Sequence, residues 1–421
     1  MKMTRKMWAL VLSGVLAVGM VGCSSPAGNS GKSADSGGQM EASKGEEKKE
    51  EMGGGEVDSG NMEPVRIGVI YSATGVMASG GIYMKQSIEM AAEEINAAGG
   101  VLGGRMIELV EDDDQSDQTT AINLMNKMGS DETICAVIGP HTSTNATAVS
   151  DTVEQFKIPY LTGGTSAKLK ELGNEYMFKV RCNDDVVVNS AIKYMTQTVG
   201  CKKLGILYIN DEFGVGGKDI MVQYCKDNGI EYVEANHNAT DQDLTAQILQ
   251  MKQADVDGLI AWSSNVCPIV ARQTSELGFD KPILMNAAFG AQDVLDSLPA
   301  EVTEGKMAAT DATAEDTDPL SVEFVKKYTE KYGLKPRGDW ANSYYGGMQV
   351  LKEAIEKAGS TDREAIQKAM MEVKDIPSTL GNLQADENGC LVHECSIVKA
   401  VKQDDGKCIF ELVEKVKENG Y

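Results

Sequence analysis

The fold is decided by residues 65–100, which read VRIGVIYSATGVMASGGIYMKQSIEMAAEEINAAGG. The apolar run Val65–Ile70 is typical of a fully buried strand, and Ala73–Gly81 is a glycine-rich turn. Apolar residues then recur at helical spacing over 82–98, where two glycines end the pattern. The stretch therefore predicts one strand–turn–helix unit of a parallel sheet.

The same alternation continues along the chain. Further strands are predicted at about 106–110, 135–138, 159–161, 203–209, 230–235, 258–262 and 282–285. Helices are predicted at about 118–127, 144–155, 186–198, 216–228, 243–253, 266–277, 319–332, 341–358 and 361–373, before an antiparallel hairpin of 392–401 and 407–412. Strands alternating with helices imply right-handed crossovers and mostly parallel sheets, and the series restarts after Arg181. The pattern predicts two α/β domains.

The first 23 residues have the pattern of an export signal. A basic start is followed by the apolar stretch Met7–Val21, which is too short to span a bilayer comfortably. The stretch ends at Cys23 and resembles a bacterial lipobox, in which the cysteine accepts a diacylglycerol anchor, although Met20 stands where leucine is usual. The alternative is an ordinary secretory signal with an incidental cysteine. Both interpretations place the mature chain outside the cytoplasmic membrane.

Residues 24–63 are a low-complexity mixture of Ser, Gly, Lys and Glu. Such a composition cannot bury a core, so the sequence predicts a disordered tether that lets the folded part stand away from a membrane.

Composition and motifs exclude several kinds of function. The formal net charge of −23 argues against nucleic acid as a partner, and the hydrophobic fraction of 42% supplies a core. The sequence has no GxSxG, Walker A or HExxH motif, and its cysteines lack metal-ligand spacing. We therefore expect no enzymatic activity, no metal and no cofactor. Cys390, Cys395 and Cys408 lie near enough in sequence for one disulfide, which the sequence does not assign.

Two loops rich in hydroxyl groups and glycine follow neighbouring strands, at Gly139–Asn145 and Thr162–Ser166. The carboxyl ends of parallel strands meet at one rim, and a helix N-terminus there favours anions. We expect the acidic residues 112–114 and the Thr74-Gly75 turn at the same rim. Helix capping alone is the alternative role for Ser143 and Thr144.

Three segments of the second domain follow later strands and could form the opposing face of a cleft. They are Asn210–Gly214, Trp262–Asn265 and Asn286–Gly290. For Phe213 and Trp262, packing beneath a loop is the alternative. His141 lies in the first-domain loops and is interpreted as a polar loop residue rather than a catalytic base.

These segments resemble the branched-chain amino-acid binding proteins of ABC transporters. The similarity covers about 65–415 and is carried by Val65–Gly75, Ala92–Gly104, Glu111–Asp114, Ala136–Pro140, Leu207–Gly214 and Gln273–Gly278. The resemblance implies a type I periplasmic-binding-protein fold of two α/β lobes, joined by three hinge crossovers and closing over a ligand. It places lobe 1 at 64–183 and 312–379, and lobe 2 at 184–311 and 380–421.

The resemblance also implies ligand-binding positions in lobe 1. A ligand carboxylate is expected at Ser143, Gly164 and Thr165, with Thr144 beside them. Ser79 stands where the family has an aromatic residue in the first loop, which would enlarge the pocket.

In lobe 2 the implied positions depart further from the family. Phe213 replaces a tyrosine, and a second tyrosine is replaced by Ser264 or Asn265, next to Trp262. The glutamate that pairs with a ligand ammonium falls at Ala287 or Ala288. Asp211 or Glu212 could substitute for it; otherwise the ligand is not an α-amino acid, because a buried ammonium without a partner is costly.

The sequence thus predicts a lipid-anchored solute receptor on the extracellular face of a Gram-positive-type cell. It would be a monomer that delivers an amino acid or a related small carboxylate to ABC permease subunits and meets the membrane only through its anchor. The alternative is a ligand sensor that serves a signalling partner without transport.

Overall fold

The computed structural model describes residues 62–392 and 394–417. The predicted export signal, Cys23 and almost all of the predicted tether lie outside the described residues. None of the described helices is long and apolar enough to cross a membrane.

The strands and helices alternate along most of the chain. The strands are β1 (Val65–Tyr71), β2 (Ile107–Asp113), β3 (Ile134–Ile138), β4 (Tyr160–Thr162), β5 (Met177–Lys179), β6 (Lys203–Ile209), β7 (Glu231–His237), β8 (Gly258–Trp262), β9 (Ile283–Asn286), β10 (Met307–Thr310), β11 (Ile376–Ser378), β12 (Gly381–Leu383), β13 (Glu394–Lys402) and β14 (Cys408–Lys417). The helices are α1 (Ala78–Ala97), α2 (Gln118–Ser130), α3 (Ser143–Phe156), α4 (Asp184–Lys193), α5 (Glu212–Asn228), α6 (Thr245–Gln253), α7 (Cys267–Glu276), α8 (Gln292–Asp296), α9 (Ala300–Thr303), α10 (Pro319–Tyr332), α11 (Ser343–Ala358) and α12 (Arg363–Met371).

The strands form two large sheets. The first has the order β2-β1-β3-β4-β5 with every pairing parallel. The second has the order β14-β13-β10-β9-β8-β6-β7 and is parallel except where β13 pairs with β10 and β14. This architecture confirms the predicted α/β class with two parallel-sheet lobes and a closing antiparallel hairpin.

Helices cover the sheets and explain the continuous apolar strands. In β1 the side chains of Val65, Ile67, Val69 and Ile70 are all fully buried, as both faces of a parallel sheet require. Helix α1 packs on α11, and α12 contacts β3, so the chain returns to the first sheet after it has built most of the second. The chain therefore passes between the sheets after β5, after β10 and before β13. The lobe boundaries themselves stay predictions.

Several short strands escape the sequence prediction. Strands β5, β10, β11 and β12 have only three or four residues each, too few for an alternating pattern. In β5 one of the three residues is a lysine, Lys179, which leaves an apolar run of only two residues.

All eight cysteines of the described residues are buried, and none of them forms a disulfide. No disulfide joins Cys390, Cys395 and Cys408. Cys395 pairs with Val416 and Cys408 with Lys402 in the β13–β14 register, so the two hairpin cysteines do not face each other.

Candidate ligand-binding site

A cavity of about 350 Å³ lies between the two sheets at the carboxyl ends of their strands. Loops that follow β3, β4 and β5 line one side, and loops that follow β6, β8 and β9 line the other. This is the place where open parallel sheets bind ligands. Of the predicted site residues, the cavity brings together Ser143, Thr144, Thr165, Asp211, Phe213 and Asn265.

The N-terminus of α3 opens onto this cavity. Its N-cap is Thr142, whose hydroxyl accepts a hydrogen bond from Asn145 N at 3.1 Å, rather than Ser143 or Thr144 as the sequence suggested. Among the described residues, nothing accepts from the backbone N–H groups of Ser143 and Thr144. Both residues line the cavity, so unpaired donors and the positive end of the helix dipole are available to an anion there.

The Ser143 hydroxyl joins the two lobe 1 loops. Its oxygen accepts from Thr165 N at 3.2 Å and from Ser166 N at 3.1 Å, which leaves its hydrogen to donate into the cavity. Gly164 lies just behind this surface, where a Cβ would stand 2.8 Å from Leu169 Cδ1. The neighbouring Gly163 lines the cavity in its place.

The acidic run holds the rim together. The buried Asp114 carboxylate accepts from Ser72 Oγ at 2.6 Å, Ser116 N at 2.9 Å and Asn145 Nδ2 at 3.1 Å. Asp114 thereby connects the loops after β1 and β2 with α3. The sequence predicts the acidic residues and the Thr74-Gly75 turn at this rim. No group of described residues has the composition of a metal site.

An aromatic wall comes from a segment remote in sequence. The rings of His141 and Trp340 stack with centroids 3.4 Å apart, and His141 Nδ1 lies 3.1 Å from Tyr344 Oη. Burial, with smaller effects of Arg181 and Arg337, holds the pKa of His141 well below its usual value. His141 is therefore neutral at physiological pH and serves the cavity as a polar wall.

Two buried ion pairs form the floor of the cavity. Arg181 donates to Asp311 through two nitrogens, at 2.9 Å to Oδ2 and 2.5 Å to Oδ1. Arg337 Nε lies 3.7 Å from Asp339 Oδ1, a looser pairing. Arg181 and Asp339 contribute to the cavity surface. Burial raises the pKa of the Asp339 carboxyl against smaller opposing effects of Arg337 and Arg181, so its charged form is disfavoured until a further cationic group pairs with it.

A further carboxyl lies behind Thr165. Burial raises the pKa of Asp184 to about 7, against a smaller opposing effect of the Thr165 hydroxyl. The Thr165 side chain is thus held from below by Asp184 while it faces the cavity.

The opposing face is aromatic and reaches across the cleft. Phe213 lines the cavity and stacks on Trp262 with centroids 5.6 Å apart, so Trp262, only 1% exposed, supports it from behind. Asn265 Nδ2 donates to Val76 O at 2.9 Å, a contact between the two faces. Asp211 caps α5 by accepting from Gly214 N at 2.8 Å.

The positions at which the sequence departs from the family pattern fall as follows. Ser79 is exposed and does not line the cavity; Val76 and Met77 do. Ala288 lines it, Ala287 does not, and Ser264 lines it beside Asn265.

Sequence reasoning missed Arg181, Asp339 and Trp340. The last two belong to the turn Gly338–Asn342 before α11, far along the chain from the strands that mark the rim. The available signals were a lone arginine after β5 and a tryptophan in a chain with only three.

Comparison with known proteins bears on the family and the fold. The family described as periplasmic binding protein matches residues 64–407. The chain is similar to a leucine-, isoleucine-, valine-, threonine- and alanine-binding protein of Pseudomonas aeruginosa, with 26% identity over 334 residues, 78% of this chain and 87% of the relative.

Solved structures with the same fold include a leucine-binding protein from Thermotoga maritima. It is 24% identical with a TM-score of 0.77, and the match covers 85% of this chain and all of that one. A solute-binding protein of an ABC transporter from Rhodopseudomonas palustris, in complex with 3,4-dihydroxybenzoic acid, is 21% identical with a TM-score of 0.75 and coverages of 84% and 97%.

Proposed function

The chain belongs to the periplasmic binding protein family, a family of solute receptors, and from this we propose that it delivers an amino acid or a related small carboxylate to an ABC permease. The ligand binds in the cavity between the two sheets, and closure of the lobes brings Phe213 and Asn265 over it.

The geometry around Ser143 carries the proposal. Two backbone N–H groups fix its hydroxyl oxygen, so its hydrogen and the unpaired N–H groups of Ser143 and Thr144 are available to a ligand in the cavity. Three preorganised donors at a helix N-terminus suit a carboxylate and are worth more than the same groups in water.

Whether the ligand carries an ammonium group besides its carboxylate distinguishes an amino acid from a simple carboxylic acid. The Pseudomonas relative is named for amino acids, which supports a zwitterion, whereas the Rhodopseudomonas protein holds a carboxylic acid without an ammonium group. Ala288 supplies no charge here, but the carboxylates of Asp211 and Asp339 face the same cavity. We therefore propose an α-amino acid as the ligand. Its ammonium group would give the Asp339 carboxylate a close cationic partner, whereas Arg337 Nε lies 3.7 Å away.

A thermal-shift screen of amino acids and organic acids on residues 64–421 tests the proposal. Ligand at about 100 times its dissociation constant should raise the free energy of unfolding by about 2.7 kcal/mol. If no carboxylate-bearing compound shifts the transition, the proposed ligand class is wrong.

We further propose that Cys23 carries the lipid anchor and that the mature protein works on the outer face of the cytoplasmic membrane. This rests on the basic and apolar segments before Cys23 and on the polar tether after it.

A further inference from the structure

A second cavity lies at the outer edge of the first sheet. Its volume is about 420 Å³, and none of its lining residues belongs to the cleft. It is enclosed by residues 169–174, strand β5, helix α12 and residues 387–389.

A buried lysine forms the inner end of this cavity. Lys179 is 1% exposed, and its Nζ makes no hydrogen bond with any residue in the described part of the chain. Its backbone is fixed, because its N–H donates to Gly389 O at 2.8 Å and its carbonyl accepts from Leu391 N at 3.0 Å. A buried ammonium without a partner is strongly disfavoured, so the site calls for an anion.

The walls and mouth define what kind of anion fits. Leu169 and Met177 are buried apolar walls, and Met371 is a partly exposed one. Glu175, Glu387 and Lys170 stand exposed at the mouth, and the Lys170 ammonium is already paired with Asp185.

We propose that this cavity is a second binding site, which takes a small monocarboxylate with a short aliphatic chain. The carboxylate pairs with Lys179, and the chain lies against Leu169 and Met177. The acidic mouth disfavours a dianion such as phosphate, because like charges repel across a partly buried site.

Fluorine NMR with a trifluoromethyl-labelled pentanoate tests this site. The protein carries Ser143→Ala and Thr165→Ala so that binding in the cleft is weakened. The label should broaden on binding, and unlabelled pentanoate should displace it while pentanol, which lacks the charge, should not. Lys179→Met should weaken binding at least about tenfold, the loss expected when a charged partner is removed. The control Lys368→Met, an exposed lysine of α12 outside the cavity, should leave binding unchanged.

Three results would overturn the proposal. They are equal displacement by pentanol, displacement by phosphate as good as by pentanoate, and unchanged binding in Lys179→Met. The first two need no change in the cavity, so either of them overturns the proposal even if Lys179→Met does not fold.

Discussion

Arg181 and Asp311 form a bidentate ion pair inside the protein, with the Asp311 side chain fully inaccessible to solvent. Arg181 follows β5 and Asp311 follows β10, so the pair connects two of the three places where the chain passes between the sheets. Asp311 also accepts from Cys182 N at 3.3 Å. The pair thus fixes the passages about which the lobes would move.

Replacing Asp311 with alanine should destabilise the protein strongly. The change leaves the Arg181 guanidinium buried without its partner, which costs about 3–5 kcal/mol. Urea unfolding of residues 64–421 measures the loss. Glu364→Ala, which breaks an exposed ion pair with Lys157, is the control and should leave stability nearly unchanged. Equal losses in both variants would show that the buried pair has no special role.

Ser143→Ala and Thr165→Ala should each weaken ligand binding by about 1–3 kcal/mol, the range for losing a hydrogen bond to a charged group. Isothermal titration with the cognate ligand measures this, with Thr329→Ala on the exposed face of α10 as the control. The sequence alone predicts that folding is unaffected. The structure changes that expectation for Ser143, whose oxygen also accepts from Thr165 N and Ser166 N. If both variants bind like the parent, the carboxylate site lies elsewhere.

The carboxylate that serves a ligand ammonium can be identified by neutral replacements. If the ligand is an α-amino acid, Asp339→Asn or Asp211→Asn should weaken binding more than Ser143→Ala does. Asn is as good an N-cap as Asp, so Asp211→Asn removes the charge while α5 keeps its cap. Glu212→Gln is the adjacent test. Titration of each variant with the amino acid and with its des-amino analogue shows which carboxylate pairs with the ammonium group. Unchanged binding in all three variants would mean that the ligand has no ammonium group.

The contribution of His141 to stability should fall as the solution becomes acidic. The pKa of folded His141 is lowered by burial, whereas the unfolded histidine takes up a proton near pH 6.5. The contribution of His141 is therefore present above about pH 6.5 and is lost below it, at up to about 1.4 kcal/mol per pH unit for one proton. The difference in free energy of unfolding between the parent and His141→Gln, measured by urea unfolding between about pH 7 and pH 5, should show this slope.

The contribution of Asp184 to stability depends on pH in the opposite direction and provides a control. Its pKa is raised to about 7 by burial, so its contribution is fully present below the unfolded value near 3.9 and is lost as the pH rises through about 7. Asp184→Asn should therefore make the acid-side loss steeper. A flatter profile in this variant would contradict the raised pKa of Asp184.

Cys23→Ala should release the protein from membranes. The apolar stretch before Cys23 is too short to anchor by itself, and stable attachment then depends on the acyl chains. Fractionation of cells that express each form measures the membrane-bound share. Continued tight association of the Cys23→Ala protein would count against a lipid anchor.

The sequence predicts best those elements that are buried on both faces. Strands β6 and β8 have the predicted bounds because continuous apolar runs mark them without ambiguity. Strands β5 and β10 are missed because their pairing, not their residues, makes them strands. The N-terminal end of α5 begins four residues before the predicted Gly216, since Asp211 rather than a glycine sets the cap.

The candidate site divides in the same way. Ser143 and Thr165 follow predicted strands, and strand order alone brings their loops to one rim. Arg181, Asp339 and Trp340 come from passages between the sheets and from the turn before α11, whose approach depends on packing in three dimensions. Trp262 shows the opposite error: it is the last residue of β8, at the predicted rim, but Phe213 and not Trp262 lines the cavity.

The sequence contains three tryptophans, and one of them, Trp8, belongs to the predicted export signal. The other two both serve the cleft, Trp340 on its wall and Trp262 directly behind Phe213. The mature protein would therefore carry tryptophan fluorophores only at the cleft. Tryptophan emission, excited selectively over tyrosine, would report occupancy of the cleft without any attached dye, and Phe213→Leu would separate Trp262 from the ligand while Trp340 keeps its place on the wall.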